Sequence, residues 1–229
     1  MLAGALNRNG VILTLGLFVA PHMLAAQSDF AAMNSMALAI LAAKEVAVGL
    51  VIGYGLAIPF WMIDAIGTLI DNQRGASIME SINFMTEEQD SPTGNLLNQA
   101  LIAIVFTTGI FLLFMKGLYL SYETWPVASF WPSFDKGIAN FVISQFALLC
   151  TSFVVLSFPV IIAMFLSEMG LAFINRFAPQ LNVFILSLPI KSAMGIGIMV
   201  LYTGIMITFT TDFFKDIDDL FHTVYGSPK

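Results

Sequence analysis

The sequence has little charge and almost no thiol or imidazole chemistry. Only 10% of its 229 residues are charged, nine Lys or Arg against 15 Asp or Glu, and it has one cysteine and two histidines. With a net charge of −6 and no cluster of basic residues, the sequence offers no positively charged surface for binding nucleic-acid phosphates. One cysteine cannot form an intramolecular disulfide, and no metal-ligand, phosphate-loop or nucleophile motif is present. The sequence therefore predicts no nucleic-acid binding, no metal, no cofactor and no enzyme.

Hydrophobic sequence is what the chain has in abundance. Hydrophobic residues make up 58% of it and its mean hydropathy is +0.87, whereas soluble domains carry roughly 25% charged residues. The long apolar runs lack the alternation of a strand, which predicts helices, because backbone groups in lipid must be satisfied within their own element. There is room for about four to six membrane helices of roughly 20 residues each. We predict an all-α, multi-pass membrane protein that forms one unit over residues 1–229.

Two apolar blocks are too long for a single membrane crossing. The block from Met36 to Asp71 would measure about 54 Å as one helix, against about 30 Å of hydrocarbon. It must therefore break or leave the membrane, and Pro59 is the expected break. The block from Ile138 to Asn175 has Pro159 near its middle. Both blocks place a carboxylate, a glycine and an arginine after the proline, a weak internal echo that suggests related hairpins.

Further helices are predicted on either side of these blocks. Apolar helices should run from Leu96 to Leu120 and from Val183 to Thr210. The opening segment imitates a secretory signal, but Pro21 and His22 interrupt it, and we prefer a retained helix to a cleaved peptide. Residues 211–225 have the pattern of an amphipathic helix with an acidic polar face. Such a face favours docking on a protein over binding anionic lipid, and the alternative is a terminal helix packed on its own chain.

Eight charged residues lie in or beside the apolar blocks. Each would cost roughly 2.5–3.5 kcal/mol at a bilayer centre, so they should pair or face water. Asp64, Asp71 and Arg74 lie near one helical face, where ion pairing is possible, and Glu168 shares a face with Arg176 in the same way. The pattern leaves open an ion path through a small ion-coupled transporter, contacts between protein subunits, or structural pairs at helix ends. The eight residues are Lys44, Glu45, Asp64, Asp71, Arg74, Glu168, Arg176 and Lys191.

Three stretches of sequence point to a family. They are KEVAVGLVIGYGLAIPFWMIDAIGTLIDNQRGAS from Lys44 to Ser77, LNRNG from Leu6 to Gly10 and RFAPQLNVFILSLPIKS from Arg176 to Ser192. Together they resemble the SctT family (YscT, SpaR, HrcT, EscT) of type III secretion export-apparatus proteins, whose flagellar relative is FliR. The resemblance covers essentially the whole chain. The sequences PFW and DNQRGAS favour the virulence branch of the family over the flagellar branch. Relatives usually begin with a further hydrophobic helix, which we expect to be missing here.

The resemblance implies a nonenzymatic, multi-pass subunit of the export gate in the bacterial inner membrane. Its implied partners are SctR-type, SctS-type and SctU-type proteins, membrane lipid and the secreted polypeptides that pass unfolded through the gate. Its implied fold consists of bent helical hairpins packed in a helical hetero-oligomer. In such an assembly the eight charged residues would face other chains or a central aqueous path instead of lipid.

The segment GASIMESINFMTEEQDSPTGN, from Gly75 to Asn95, carries no basic residue, four acids and an apolar cluster. By itself it would be an ordinary surface loop whose apolar residues cover a neighbouring helix. The resemblance implies instead a plug that projects into the pore. Flexible methionine and bulky phenylalanine can seal a pore and then repack around a passing chain. The implied plug residues are Met79, Ile82, Asn83, Phe84 and Met85.

Overall fold

A computed structural model describes residues 5–25, 30, 33–75, 91–129, 136–178, 180 and 182–225, with side chains as far as Phe214 in the last range. Helices make up most of this part of the chain, and it contains no strand. The prediction of an all-α fold is confirmed. The helices are α1 (Ala5–Ala25), α2 (Ser35–Arg74), α3 (Pro92–Thr107), α4 (Ile110–Thr124), α5 (Lys136–Phe177) and α6 (Val183–Tyr225).

Three of these helices are about twice as long as the hydrocarbon layer is thick. α2, α5 and α6 have 40, 42 and 43 residues. At a rise of 1.5 Å per residue they are about 60–65 Å long, against about 30 Å of hydrocarbon. The predicted break at Pro59 is wrong, because α2 continues through it, as α5 continues through Pro159. A proline removes one helical hydrogen bond, a loss that packed neighbouring helices compensate.

The helices have the length and composition of a multi-pass membrane protein. Ser35–Arg74, Ala139–Phe177 and Ile185–Phe214 are each long and apolar enough to cross a membrane. The described chain has a fourth such span if α3 and α4 together count as one broken crossing. This agrees with the multi-pass prediction.

The predicted helix from Leu96 to Leu120 is wrong in one respect, because it consists of two helices. α3 ends at Thr107, and Gly109 follows with a φ of +81°, a left-handed conformation that glycine adopts without strain. The hydroxyl of Thr108 donates to the carbonyl of Ile104 at 2.8 Å, and the backbone N–H of Thr108 also bonds to that carbonyl. Side chain and glycine together end the helix.

At the C-terminal end two predicted elements form one helix. The apolar segment and the amphipathic tail are continuous in α6, so the predicted boundary near residue 210 is wrong, although the tail is helical as expected. Of the side chains that make the tail acidic, Asp212 is exposed and the others lie outside the described residues. At the other end, α1 is helical through Pro21.

The chain divides into two compact units, each assembled from segments that are distant in sequence. The first comprises Met1–Tyr54, Leu112–Phe141 and Asp218–Lys229, and the second Gly55–Phe111 and Val142–Ile217. The single export-apparatus domain stays a prediction. In the second unit, α2 contributes a buried row at every fourth position, and α5 and α6 contribute further fully buried side chains. These core residues are Ile58, Met62, Ile66, Ile70, Val160, Met164, Met206 and Phe214.

Candidate functional site

In the second unit, α2 and α3 approach each other until their backbones touch. A Cβ atom on Gly67 would overlap the backbone of Gly94, and one on Gly94 would lie 2.9 Å from Oδ1 of Asp64. α3 begins with a strong start signal. Ser91 is the N-cap and its Oγ accepts from the Gly94 N–H at 2.9 Å, while Pro92 takes the first helical position. The local sequence thus fixes where α3 starts beside α2.

A buried carboxylate joins the two helices. Asp71, only 4% exposed, accepts hydrogen bonds from Ser91 Oγ at 2.6 Å, from the Thr93 N–H at 2.9 Å and from Thr93 Oγ1 at 2.5 Å. Asp71 also forms an ion pair with Arg74, one turn further along α2. Arg74 donates in addition to Thr93 Oγ1 at 3.1 Å and to Ser192 Oγ of α6 at 3.4 Å. We call these five residues the anchor. It fastens α2, α3 and α6 to one another.

The anchor lies at both chain ends of the predicted plug segment. The described chain stops at Gly75, directly after the anchor arginine, and resumes at Ser91, an anchor residue. The predicted loop extends too far, since residues 92–95 are already helical. The predicted plug residues Met79, Ile82, Asn83, Phe84 and Met85 lie outside the described residues.

In the first unit a buried lysine holds a turn. Lys44 on α2 is 7% exposed and pairs with the neighbouring Glu45 at 2.7 Å. Its Nζ donates to the carbonyl oxygens of Pro126, Val127 and Ser129 at 3.1, 3.3 and 3.2 Å. These carbonyls follow the end of α4. The ammonium group therefore fastens this turn to α2, and its charge is matched by the adjacent carboxylate.

A third ion pair differs from the one that the spacing suggested. Glu168 of α5 pairs with Lys191 of α6 at 2.6 Å, whereas Arg176, the residue on the same face, is exposed. The glycines at matching positions of the two apolar blocks, Gly67 and Gly170, pack differently. A Cβ on Gly67 would overlap α3, but one on Gly170 would have no atom within 4 Å.

The carboxylates of the transporter alternative have separate partners. Asp71 belongs to the anchor, Glu168 to a pair with a lysine, and the exposed Asp64 accepts a hydrogen bond from Asn98 Nδ2 at 3.4 Å. A proton carrier must change its charge state, which the fourfold engagement of Asp71 opposes. Within the described ranges, no group of three or more His, Cys, Asp or Glu side chains is placed to hold a metal ion.

Sequence reasoning missed three anchor residues, Ser91, Thr93 and Ser192, and also Asn98, which contacts Asp64. The loop predicted from the sequence includes Ser91 and Thr93, although Ser-Pro is a recognisable helix start that puts them at the N-terminus of a helix. No sequence pattern predicts the contacts of Asn98 and Ser192 with α2, because they join residues that are 34 and 118 positions apart.

Comparison with known proteins gives consistent matches. Residues 3–217 match the family model described as bacterial export proteins, family 1. The chain is 44% identical over 202 residues to the Yop proteins translocation protein T of Yersinia pestis, covering 88% of this chain and 77% of the relative. It is 36% identical over 205 residues to the surface presentation of antigens protein SpaR of Salmonella typhimurium, covering 88% and 74%. It is 29% identical over 180 residues to the flagellar biosynthetic protein FliR of Bacillus subtilis, covering 77% and 68%.

Proposed function

Because this chain belongs to family 1 of the bacterial export proteins, we propose that it is a core subunit of a type III secretion export gate. The family resemblance read from the sequence is thereby confirmed. In the proposed role the chain joins SctR-type and SctS-type proteins, next to an SctU-type protein, in an inner-membrane pore for unfolded substrates. Higher identity to the translocation and SpaR proteins than to FliR supports the virulence-type branch.

The observation that carries the assembly is the distribution of exposed apolar side chains on α5. Ile143 and Phe146 near one end are 66% and 59% exposed, and Phe173 and Phe177 near the other end are 62% and 86% exposed. From Ile143 to Phe177 the helix extends about 51 Å, and even at a steep tilt of about 40° it would cover about 39 Å of membrane normal. The hydrocarbon layer covers about 30 Å, so the apolar side chains at the two ends of α5 extend beyond it, which supports cover of one end of the helix by another protein.

The plug remains part of the proposal and rests on sequence. The segment of residues 76–90 combines an apolar cluster with acids and no basic residue. The anchor holds the residues on both sides of it, which would keep a plug at a fixed position relative to the helices. A dry, apolar seal of Met and Phe side chains would stop ions and yield to an unfolded chain.

Native mass spectrometry of the assembly tests the first part. A tagged copy is purified from native membranes in mild detergent, and the mass and composition of the complex are determined. We expect a large heteromer that contains distinct small membrane proteins. A monomer or a homodimer under the same conditions would contradict the proposed role and would favour the alternative of a small ion-coupled transporter.

Ion conductance tests the plug. Replacing Phe84 and Met85 by alanine should leave the heteromer assembled and raise ion leak across the membrane, because the apolar seal is lost. The matched control is the double substitution Phe165→Ala and Leu166→Ala, which removes exposed apolar bulk from α5 instead. An assembled Phe84/Met85 variant with unchanged conductance would rule out the plug assignment.

A further inference from the structure

The two halves of α2 expose different chemistry. From residue 35 to 54 the exposed positions after Ser35 are all Met, Leu, Ile, Val, Ala or Gly, with Val46 63% and Leu50 68% exposed. From residue 55 to 74 the exposed positions are Trp61 and three polar residues, Asp64, Thr68 and Asn72. Their spacing of three or four residues puts them on one stripe of the helix. The first half therefore suits lipid and the second does not.

The polar stripe lines a groove within the second unit. The groove has a volume of about 460 Å³, and Phe153 of α5 forms part of its wall beside Trp61, Asp64, Thr68 and Asn72. Asp64 lies ten residues before the end of α2, about 15 Å along the helix, too far for its short side chain to reach the helix end. A basic partner for this carboxylate would therefore have to enter the groove.

Near the Asp64 carboxylate, the described residues offer more hydrogen-bond acceptors than donors. Asp64 receives one long hydrogen bond from Asn98 Nδ2, at 3.4 Å, and the Oδ1 of that same amide is buried without any donor. Among the described cations, Lys44, Arg74 and Lys191 are occupied elsewhere. No described basic side chain lies within 4 Å of Asp64 as an ion-pair partner. Among the described residues, the charge of the groove is thus left without a cation.

We propose that this groove receives a lysine or arginine side chain from a membrane helix of a neighbouring subunit of a different kind. The inference rests on the proposed export-gate function, since it needs such a neighbour. The cation would pair with Asp64, and the stem of its long side chain would pack on Trp61 and Phe153. The hydroxyl and amide of Thr68 and Asn72 offer further acceptors along the same stripe.

Photo-crosslinking in the intact heteromer tests the occupant directly. A photoreactive amino acid replaces Thr68 in the groove, and Leu50 on the apolar half of α2 serves as the control position. We expect Thr68 to crosslink to a different subunit, at a peptide with a Lys or Arg within one helical turn. Crosslinks to lipid, to a second copy of this chain or to a peptide without a basic residue would overturn the proposal, as would no crosslink in an intact heteromer.

Substitution of the carboxylate gives an independent readout. Asp64→Leu should lower the yield of heteromer at least tenfold, whereas Thr208→Val, a near-isosteric change at an exposed threonine of α6 outside the groove, should leave the yield within twofold of wild type. A groove that faces lipid predicts the opposite, because leucine is better suited to lipid than aspartate. Equal or higher yield with Asp64→Leu would overturn the cation pairing. If the wild-type chain itself gives no heteromer, it is the proposed function that fails.

Discussion

Removing the anchor carboxylate should destabilise the junction of α2, α3 and α6. Asp71→Ala deletes two acceptor oxygens with the three hydrogen bonds that they accept from Ser91 and Thr93, and it leaves the Arg74 guanidinium, whose side chain is 13% exposed, without its counter-ion. Breaking a buried pair from one side costs about 3–5 kcal/mol, because the remaining charge stays buried and uncompensated. At about 2–4 °C per kcal/mol for a chain of this size, the melting temperature should fall on the order of 10 °C.

The assay is thermal unfolding of the purified heteromer in detergent, followed by loss of its size-exclusion peak. The matched variant is the double substitution Asp71→Leu and Arg74→Met, which removes both charges and fills the space with apolar side chains. Replacing both partners of a buried pair is often neutral, so the double variant should regain most of the lost stability. If the single variant loses under about 1 kcal/mol, or the double variant melts no higher than the single one, the anchor is not held by this ion pair.

The remaining predictions concern helix contact and the buried lysine. Gly67→Ala places a methyl group on the backbone of α3 and should lower stability by about 1–3 kcal/mol, whereas Gly170→Ala, with open space around it, should cost nothing; equal melting temperatures would contradict the close contact. Lys44→Met removes the ammonium donor that three backbone carbonyls share, of which only that of Pro126 also accepts from Ser129, and it should speed hydrogen exchange in the turn after α4. Glu45→Gln keeps those bonds and should change exchange less. Exchange that is slow in both variants would show that other contacts hold the turn.

Sequence reasoning succeeded where the interacting groups are close in the chain. Asp71 and Arg74 are three residues apart on one helix, and that spacing was enough to predict that they could pair. The long apolar runs likewise fixed the fold class, because lipid leaves the backbone few alternatives. Both inferences use only distances along the chain.

The same reasoning failed where tertiary packing decides the local structure. Pro59 is a strong helix breaker in isolation, yet its side chain is fully buried in the second unit and α2 continues. Gly109 has the opposite outcome, since a single glycine after two threonines ends α3 in the middle of an apolar run. The context that lets α2 continue through Pro59 comes from neighbouring helices, which no window of sequence contains.

The placement of the eight charges explains why an apolar chain carries them. Lys44, Asp71 and Lys191 and their ion-pair partners are matched within the chain, so those six residues can be buried without a partner protein. Arg176 lies one residue before the end of α5, where a long side chain can extend to the membrane surface. Asp64 has neither solution, because it is exposed, far from the helix end and short. In the bilayer centre it would cost about 2.5–3.5 kcal/mol, and in the proposed assembly a cation of a neighbouring subunit would offset that cost.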